Sequence, residues 1–419
     1  MNNSYVEQIL KNKLKGKIIQ TNEYFKLSID YVLGHDATFS LIIDDIEKLN
    51  LPLFNRNSLF LFADHFSTPA TIERASILNK FIDYTQKNKL LNVYLFEGIC
   101  HQVMVEHPDI IPGLVIIGAD SHTVTASALG CLAFGLGSYD ILYSLITGHT
   151  VFKFKGIKKI ILMGTIPNNI TGKDIILHTI HQVGEDGGNE IIWEIEDKTN
   201  NKLSQDDRFA FSNMCIEAGA ISATFVPDEI TYDYLMKMQK NINYRIPYYS
   251  NLNNQSEFLL EEPLVIDVTS LKPQIAKPHS PANVVDIDDV LGVKITQVYI
   301  GSCSSGRLSD IEAVAEIVKN RKVKPFVKAI LIPSSRKIYM EAISRGYIKT
   351  ILEAGFIVEY PSCGPCGRID KGVIGPEDIC LSTSNRNYVG RMGSSKAQIY
   401  LASAKVAAIS ALKGEICCP

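Results

Sequence analysis

This sequence of 419 residues has no long hydrophobic run. Its apolar stretches, 114–118 and 160–163 among them, fall far short of the ~18 residues that a membrane-spanning helix needs, so no transmembrane helix is expected. It has no excess of positive charge either. Lys and Arg number 42 against 45 Asp and Glu, a formal net charge of −3, which leaves no strong positive field to hold a nucleic-acid backbone or an anionic membrane. The N-terminal Met-Asn-Asn-Ser-Tyr-Val-Glu-Gln-Ile-Leu lacks the continuous apolar core of a secretory signal, and a cytoplasmic chain is expected. An even cysteine count is missing too: nine cysteines without such a signal argue for reduced thiols rather than a disulfide framework. With 46% hydrophobic and 21% charged residues, the chain is neither disordered nor fibrous and has room for two or three domains.

What is present is a short apolar run that ends in a polar or glycine-containing loop and is followed by helical periodicity, the pattern of alternating α/β structure. Strands are expected at 58–63, 92–96, 114–117, 297–300 and 356–359. Their ends carry Asp64-His65, His101, Asp120-Ser-His122, Cys303 and Cys363, and in open parallel sheets the carboxyl ends of strands converge on one crevice. The polar stretches 198–206 and 241–261 read as surface loops. The proline-rich stretch 272–283 cannot continue a helix or a central strand, so the domain boundary is placed near Val284, with a region 1–284 built of two interwoven subdomains and a second region 285–419.

Three groups of residues carry chemistry. Cys303, with Cys363 and Cys366 as the single C-x-x-C pair, can supply three soft thiolates from two loops. These residues alone leave zinc, thiol redox chemistry and an iron–sulfur cluster open, with Cys380 as the candidate fourth ligand for zinc. The helix expected after Gly306, with Leu308, Ile311, Ala313, Val314 and Ile317 as its apolar stripe, would bring a positive dipole end to the Cys303 thiolate and favour its ionised form. In the second group, Asp64-His65, His101 and Asp120-Ser-His122, an Asp beside a His can fix the imidazole tautomer and raise its basicity. The third is Ser382-Thr-Ser-Asn-Arg-Asn387 with Arg391, where two forked guanidiniums on one loop suit a polycarboxylate.

Together these residues resemble the aconitase superfamily, in the branch of isopropylmalate dehydratase and homoaconitase-type large subunits. The motifs run in order from residue 32 to residue 416: Ala63-Asp-His65, Glu97-Gly-Ile-Cys-His-Gln102, Gly118-Ala-Asp-Ser-His-Thr123, Asn213-Met-Cys-Ile-Glu-Ala-Gly-Ala220, Tyr299-Ile-Gly-Ser-Cys303, Cys363-Gly-Pro-Cys366 and Ser382-Thr-Ser-Asn-Arg-Asn387. The resemblance implies an α/β fold of three-layer αβα domains around a [4Fe–4S] cluster, lacking the family's swivel domain, with 285–419 as the cluster-binding domain. It implies a hydro-lyase of leucine biosynthesis that isomerises 2-isopropylmalate to 3-isopropylmalate by dehydration and rehydration. The alternatives are a homoaconitase or another alkylmalate or citrate-like dehydratase large subunit and, against the charge, an RNA-binding cluster sensor.

By the same resemblance Cys303, Cys363 and Cys366 hold the cluster. Asp64, His65, His101, Asp120 and His122 handle protons around the substrate hydroxyl. Asn213 and Glu217 line the iron and its water, Ser121 is a hydrogen-bonding position, Asn385 contacts the cluster region, and Arg386 and Arg391 bind carboxylates of a small di- or tricarboxylate hydroxy acid. The base is expected on a separate small swivel-domain subunit, making a heteromer inactive without it. Three departures from the family pattern are Ser304-Ser305 in the Cys303 loop, Gly-Arg-Ile-Asp after Cys366, and His35 where aconitases carry glutamine.

Overall fold

The computed structural model describes residues 4–14, 20–238, 258–260, 262–368 and 371–419. Three sheets of four or more strands carry the architecture, beside a two-stranded antiparallel ribbon of Phe25–Ser28 and His149–Phe152. The first sheet is entirely parallel. Its central strand Tyr31–His35 has Leu59–Ala63 and then Asn92–Leu95 on one side, and Val115–Gly118 and then Leu132–Gly135 on the other. The strand order reverses at Tyr31–His35, which is where a doubly wound sheet opens a crevice. Leu59–Ala63, Leu-Phe-Leu-Phe-Ala, is buried along its whole length, as expected of a parallel strand covered on both faces. The helix Ile72–Lys87 makes one of the crossovers, started by Thr71, whose hydroxyl accepts the Arg74 N–H at 3.2 Å.

The second sheet is also parallel, in the order Ser222–Phe225, Ile191–Thr199, Gly156–Gly164, Leu264–Asp267. Between its strands run the helices Gly172–Val183 and Gln205–Met214, the latter followed by the 3-10 turn Cys215–Ala218. The first two sheets follow one another along the chain rather than interweaving. The helix Tyr5–Leu14 ties them: the Tyr5 hydroxyl donates to Gly130 O at 2.6 Å and the Val6 N–H to Glu194 Oε2 at 2.9 Å.

The third sheet has seven strands. Gln398–Leu401, Ile379–Ser382, Gln297–Ile300, Lys328–Leu331 and Ile357–Val358 are parallel, and the antiparallel hairpin Gln274–Ala276 and Val284–Asp286 completes one edge. The cut expected near Val284 therefore falls inside this hairpin. Pro273 and Pro278 bracket its first strand without interrupting it, because only three residues between them need ladder hydrogen bonds.

The helix after Cys303 spans Leu308–Val318 and buries Ile311, Val314, Ala315 and Val318; Leu308, Ala313 and Ile317 are only partly covered, so its inner face is rotated from the expected stripe. The polar stretch at 198–206 shortens to a loop between Thr199 and Gln205. Of the loop expected at 241–261, residues 241–257 and 261 lie outside the described residues. Among the described residues no helix is long and apolar enough to cross a membrane.

Candidate active site

Each acid–base residue comes from the carboxyl end of a first-sheet strand. Asp64 and His65 follow Leu59–Ala63, and His101 lies in the first turn of the helix Cys100–Glu106 beyond Asn92–Leu95. Asp120 caps the 3-10 helix Ser121–Leu129 after Val115–Gly118 and accepts the His122 N–H at 2.7 Å.

Asp64 is fully buried between two donors: His65 Nδ1 lies 2.8 Å from its Oδ1, and the Cys100 N–H donates to Oδ2 at 2.7 Å. Burial alone would raise the Asp64 carboxyl; the His65 charge and hydrogen bond outweigh it and hold the group well below its usual range. Burial opposes the His65 cation in turn, and Asp64, Asp36 and Asp120 overcome it, so this imidazole is pushed up to about 9. His101 goes the other way. Its Nε2 is 3.0 Å from Asp120 Oδ1, but desolvation dominates and favours the neutral ring. Two histidines driven in opposite directions are the arrangement expected where one gives a proton and another only hydrogen-bonds.

Glu217, in the turn Cys215–Ala218, lies 3.1 Å from His122 Nε2 and accepts Arg386 Nε at 2.8 and 2.9 Å. Burial raises its carboxyl, but His122 and Arg386 bring it below its ordinary value. Arg386 also donates to the Ser121 hydroxyl at 3.2 Å.

The three cysteines come from the third sheet. Cys303 follows Gln297–Ile300 in a loop where Ser302 is held at φ 77, a backbone conformation L residues avoid and one that clusters at functional sites. Cys363 and Cys366 follow Ile357–Val358, and Gly364 between them sits at φ 56, where L side chains are strained, with Ile332 Cδ1 2.6 Å from where a Cβ would be. All three are buried free thiols, and Cys303 and Cys363 pack together with Ile99. The expected dipole effect on Cys303 is outweighed, since desolvation pushes its thiol up to about 12 and leaves it protonated until a cation binds.

Asn385 Nδ2 donates to Cys303 Sγ and to Asn213 Oδ1, both at 3.2 Å, and Arg391 Nη2 to Cys366 Sγ at 3.4 Å. Cys363 feels the charges of Asp64 and Asp120, so the thiols face the acid–base cluster. Hydrogen bonds link His101 and His122 through Asp120, His122 and Ser121 to Glu217 and Arg386, and Asn213, through Asn385, and Arg391 to the cysteines. Arg386 and Arg391 differ from expectation in being engaged already, by Glu217 and by Cys366.

The donor set tests what could sit here. Among the described residues, the only group of three or more His, Cys, Asp or Glu ligand atoms within 4.8 Å of one another is His35, Asp36, Asp64 and His65. At least one pair among the three sulfurs thus stands more than 4.8 Å apart, wider than the ~3.8 Å that tetrahedral zinc at ~2.3 Å would impose. Cys380, the candidate fourth zinc ligand, is inside the strand Ile379–Ser382 and packed into the main apolar core. Three spaced thiols with N–H donors aimed at two of them fit a multi-iron cluster. The His35 group is bonded within itself: Asp36 accepts the His65 and Phe66 N–H groups at 3.1 and 2.8 Å.

The model of the aconitase family (aconitate hydratase) matches residues 7–292 and 288–414. The chain belongs to the aconitase family. It is 38% identical over 418 residues to the 3-isopropylmalate dehydratase large subunit of Caldanaerobacter subterraneus subsp. tengcongensis, covering 99% of this chain and 98% of that protein. It is 39% identical to the large subunit of the same name from Wolinella succinogenes, over 96% of each chain. It is 35% identical to the methanogen homoaconitase large subunit of Methanocaldococcus jannaschii, over 98% of each. The crystal structure of Thermococcus kodakaraensis aconitase X in its holo-form shares the fold, with a TM-score of 0.56 at 14% identity over 97% of this chain and 95% of that one.

Against the aconitase-family motifs, the departures find local explanations. Ser304 keeps a hydroxyl that donates to Thr383 O at 2.8 Å, and Ser305 turns to Asp310 Oδ2 at 3.0 Å, serving the following helix. Arg368 is held at φ 59 and its carbonyl accepts Arg74 Nη2 at 3.0 Å, while residues 369–370 lie outside the described residues. His35 stacks on His65. Sequence reasoning gave no role to His35 or Asp36, although a His-Asp pair at the end of an apolar run is the same signal that marks Asp64-His65. It also missed Lys173, which has no such signal.

Proposed function

We propose that this chain is the cluster-bearing large subunit of a 3-isopropylmalate dehydratase, a hydro-lyase that converts 2-isopropylmalate to 3-isopropylmalate by removing water and returning it at the neighbouring carbon. The observation that carries the reading is similarity along nearly the full length of both chains to large subunits of that name; the cleft chemistry agrees with it. Cys303, Cys363 and Cys366 would hold a [4Fe–4S] cluster. When bound, such a cluster supplies an iron without a protein ligand, a Lewis acid that makes hydroxide a better leaving group.

The chain's own residues supply the rest. His65, kept protonated by Asp64, gives its proton to the departing hydroxyl. Asp120 orients His101 and His122 around the same position, with Glu217 holding His122 from the far side. Arg386 and Arg391 present guanidiniums to the substrate carboxylates, with Arg386 aimed by its Nε, which both Glu217 oxygens accept. Burial of these groups keeps water from competing with them. The relatives' names as large subunits support a small-subunit counterpart; the proton on carbon is taken by a base on that subunit, read here as the swivel domain.

The test is anaerobic reconstitution with iron and sulfide, addition of a small subunit, and assay of 2-isopropylmalate, homocitrate and citrate. Interconversion of the isopropylmalates only when both subunits are present is expected. Turnover of homocitrate with none of isopropylmalate would move the assignment to the homoaconitase branch, and substantial turnover by the isolated chain would overturn the heteromer.

A further inference from the structure

Among the described residues four Lys or Arg side chains are buried: Lys159, Lys173, Arg208 and Arg307. Two have carboxylate partners, Lys159 with Glu196 at 2.7 Å and Arg208 with Asp197 and Asp228 at 3.0 and 2.6 Å. The other two have no carboxylate oxygen within 4.0 Å among the described residues, and both contact the Cys303 loop. Arg307 Nη2 donates to Cys303 O at 2.7 Å and its Nε to Gln102 Oε1 at 2.9 Å. Lys173 Nζ donates to Ser384 O at 2.7 Å, Thr383 O at 3.0 Å and Ser304 Oγ at 3.3 Å.

Lys173 is placed where a cation is costly. It is the second residue of the helix Gly172–Val183, at the positive end of the dipole. The neighbouring Asp174 spends its carboxylate on Thr171 and on the Gln274 N–H. Burial pushes the ammonium down to about 7, opposed by the charges of Cys303 when it is ionised and of Asp310, Glu217 and Asp174. A buried charge without an opposite charge in contact is strongly unfavourable; Asp310, Glu217 and Asp174 act on Lys173 only from beyond ion-pair distance and are hydrogen-bonded elsewhere, so an anion held at the cysteine loop would relieve both cations.

We propose that Lys173 and Arg307 are a built-in countercharge to the anionic group held by Cys303, Cys363 and Cys366, and that Lys173 is a positioning residue fixing how firmly that group is retained. The inference rests on the cluster reading above. It assigns Lys173 a part that needs no contact with substrate.

The experiment compares K173M and K173Q with the wild-type chain, each as apoprotein and after anaerobic reconstitution. K173M removes the charge and the donor, and K173Q removes the charge but keeps a donor. Expected are an apo melting temperature for both variants equal to or above wild type, a more negative cluster midpoint potential, and roughly tenfold faster loss of cluster absorbance in air. If K173Q behaves as wild type, or if the variants destabilise apoprotein and holoprotein alike, the lysine is a hydrogen-bonding strut and the proposal fails. The same holds if wild type takes up iron and K173M has its potential and lifetime. A wild-type chain that takes up no iron overturns the cluster reading, and this one with it.

Discussion

The imidazole rings of His35 and His65 are stacked, their centroids 3.8 Å apart and their planes within 5°. The two rings have different partners: His65 Nδ1 lies 2.8 Å from Asp64 Oδ1, whereas His35 Nε2 meets the Thr38 hydroxyl at 3.1 Å and Asp120 Oδ2 at 3.5 Å.

A basic limb in the pH profile follows. Because the folded-state value of His65 is raised to about 9, the proton needed for hydroxide departure is present at neutral pH and lost as pH rises through about 9. The stabilisation from its pairing with Asp64 disappears over the same upper range, being complete only below the ordinary histidine value of about 6.5. In the assembled enzyme kcat/KM is expected to fall above about pH 9, and D64N to move that limb to lower pH with a loss of roughly 10²–10⁴-fold. A limb in D64N at the wild-type position would show that His65 is not the donor.

Replacing any one of Cys303, Cys363 or Cys366 by alanine is expected to leave the apoprotein folded, since these thiols pair with no cysteine. It should take iron uptake from about four per chain to below one. Iron and sulfide analysis beside circular dichroism reads both halves. Full uptake by C366A would point to a different ligand set.

R386K keeps the charge but cannot bridge both oxygens of Glu217 and the Ser121 hydroxyl. A fall in kcat/KM of about 100-fold, mainly through KM, is expected from losing a preorganised fork. Steady-state kinetics of the heteromer decide it, and an unchanged KM would exclude Arg386 from carboxylate binding.

Stability should depend on a site distant from the chemistry. Arg208 is fully buried between Asp197 and Asp228, on the helix that presents Asn213. R208A strands two carboxylates and should cost about 3–5 kcal/mol, readable as a lower urea midpoint. A midpoint within error of wild type would mean that the triad relaxes to solvent.

Local pattern made much of this legible. Apolar runs marked the strands, and polar residues at their ends marked Asp64, His65, Asp120 and Cys303, because a doubly wound sheet puts its chemistry there. The hairpin at Gln274–Ala276 was hidden by its flanking prolines, since three ladder residues leave no periodicity to read. The inner face of Leu308–Val318 could not be fixed by spacing alone, because which of several apolar residues turns inward is settled by the layer it packs on.

The sequence by itself determined the kind of chemistry: soft thiolates, Asp–His pairs and forked cations in a fixed order along an α/β chain. Only the tertiary structure decided how those groups stand to one another. The protonation of His65 depends on carboxylates arriving from three strands, and the lysine in Thr171-Gly-Lys-Asp174 looks like an exposed helix residue until the chain folds back to bring Ser304, 131 positions on, to its ammonium. Desolvation and charge at close range have no local signature, and they set how each of these groups holds its proton.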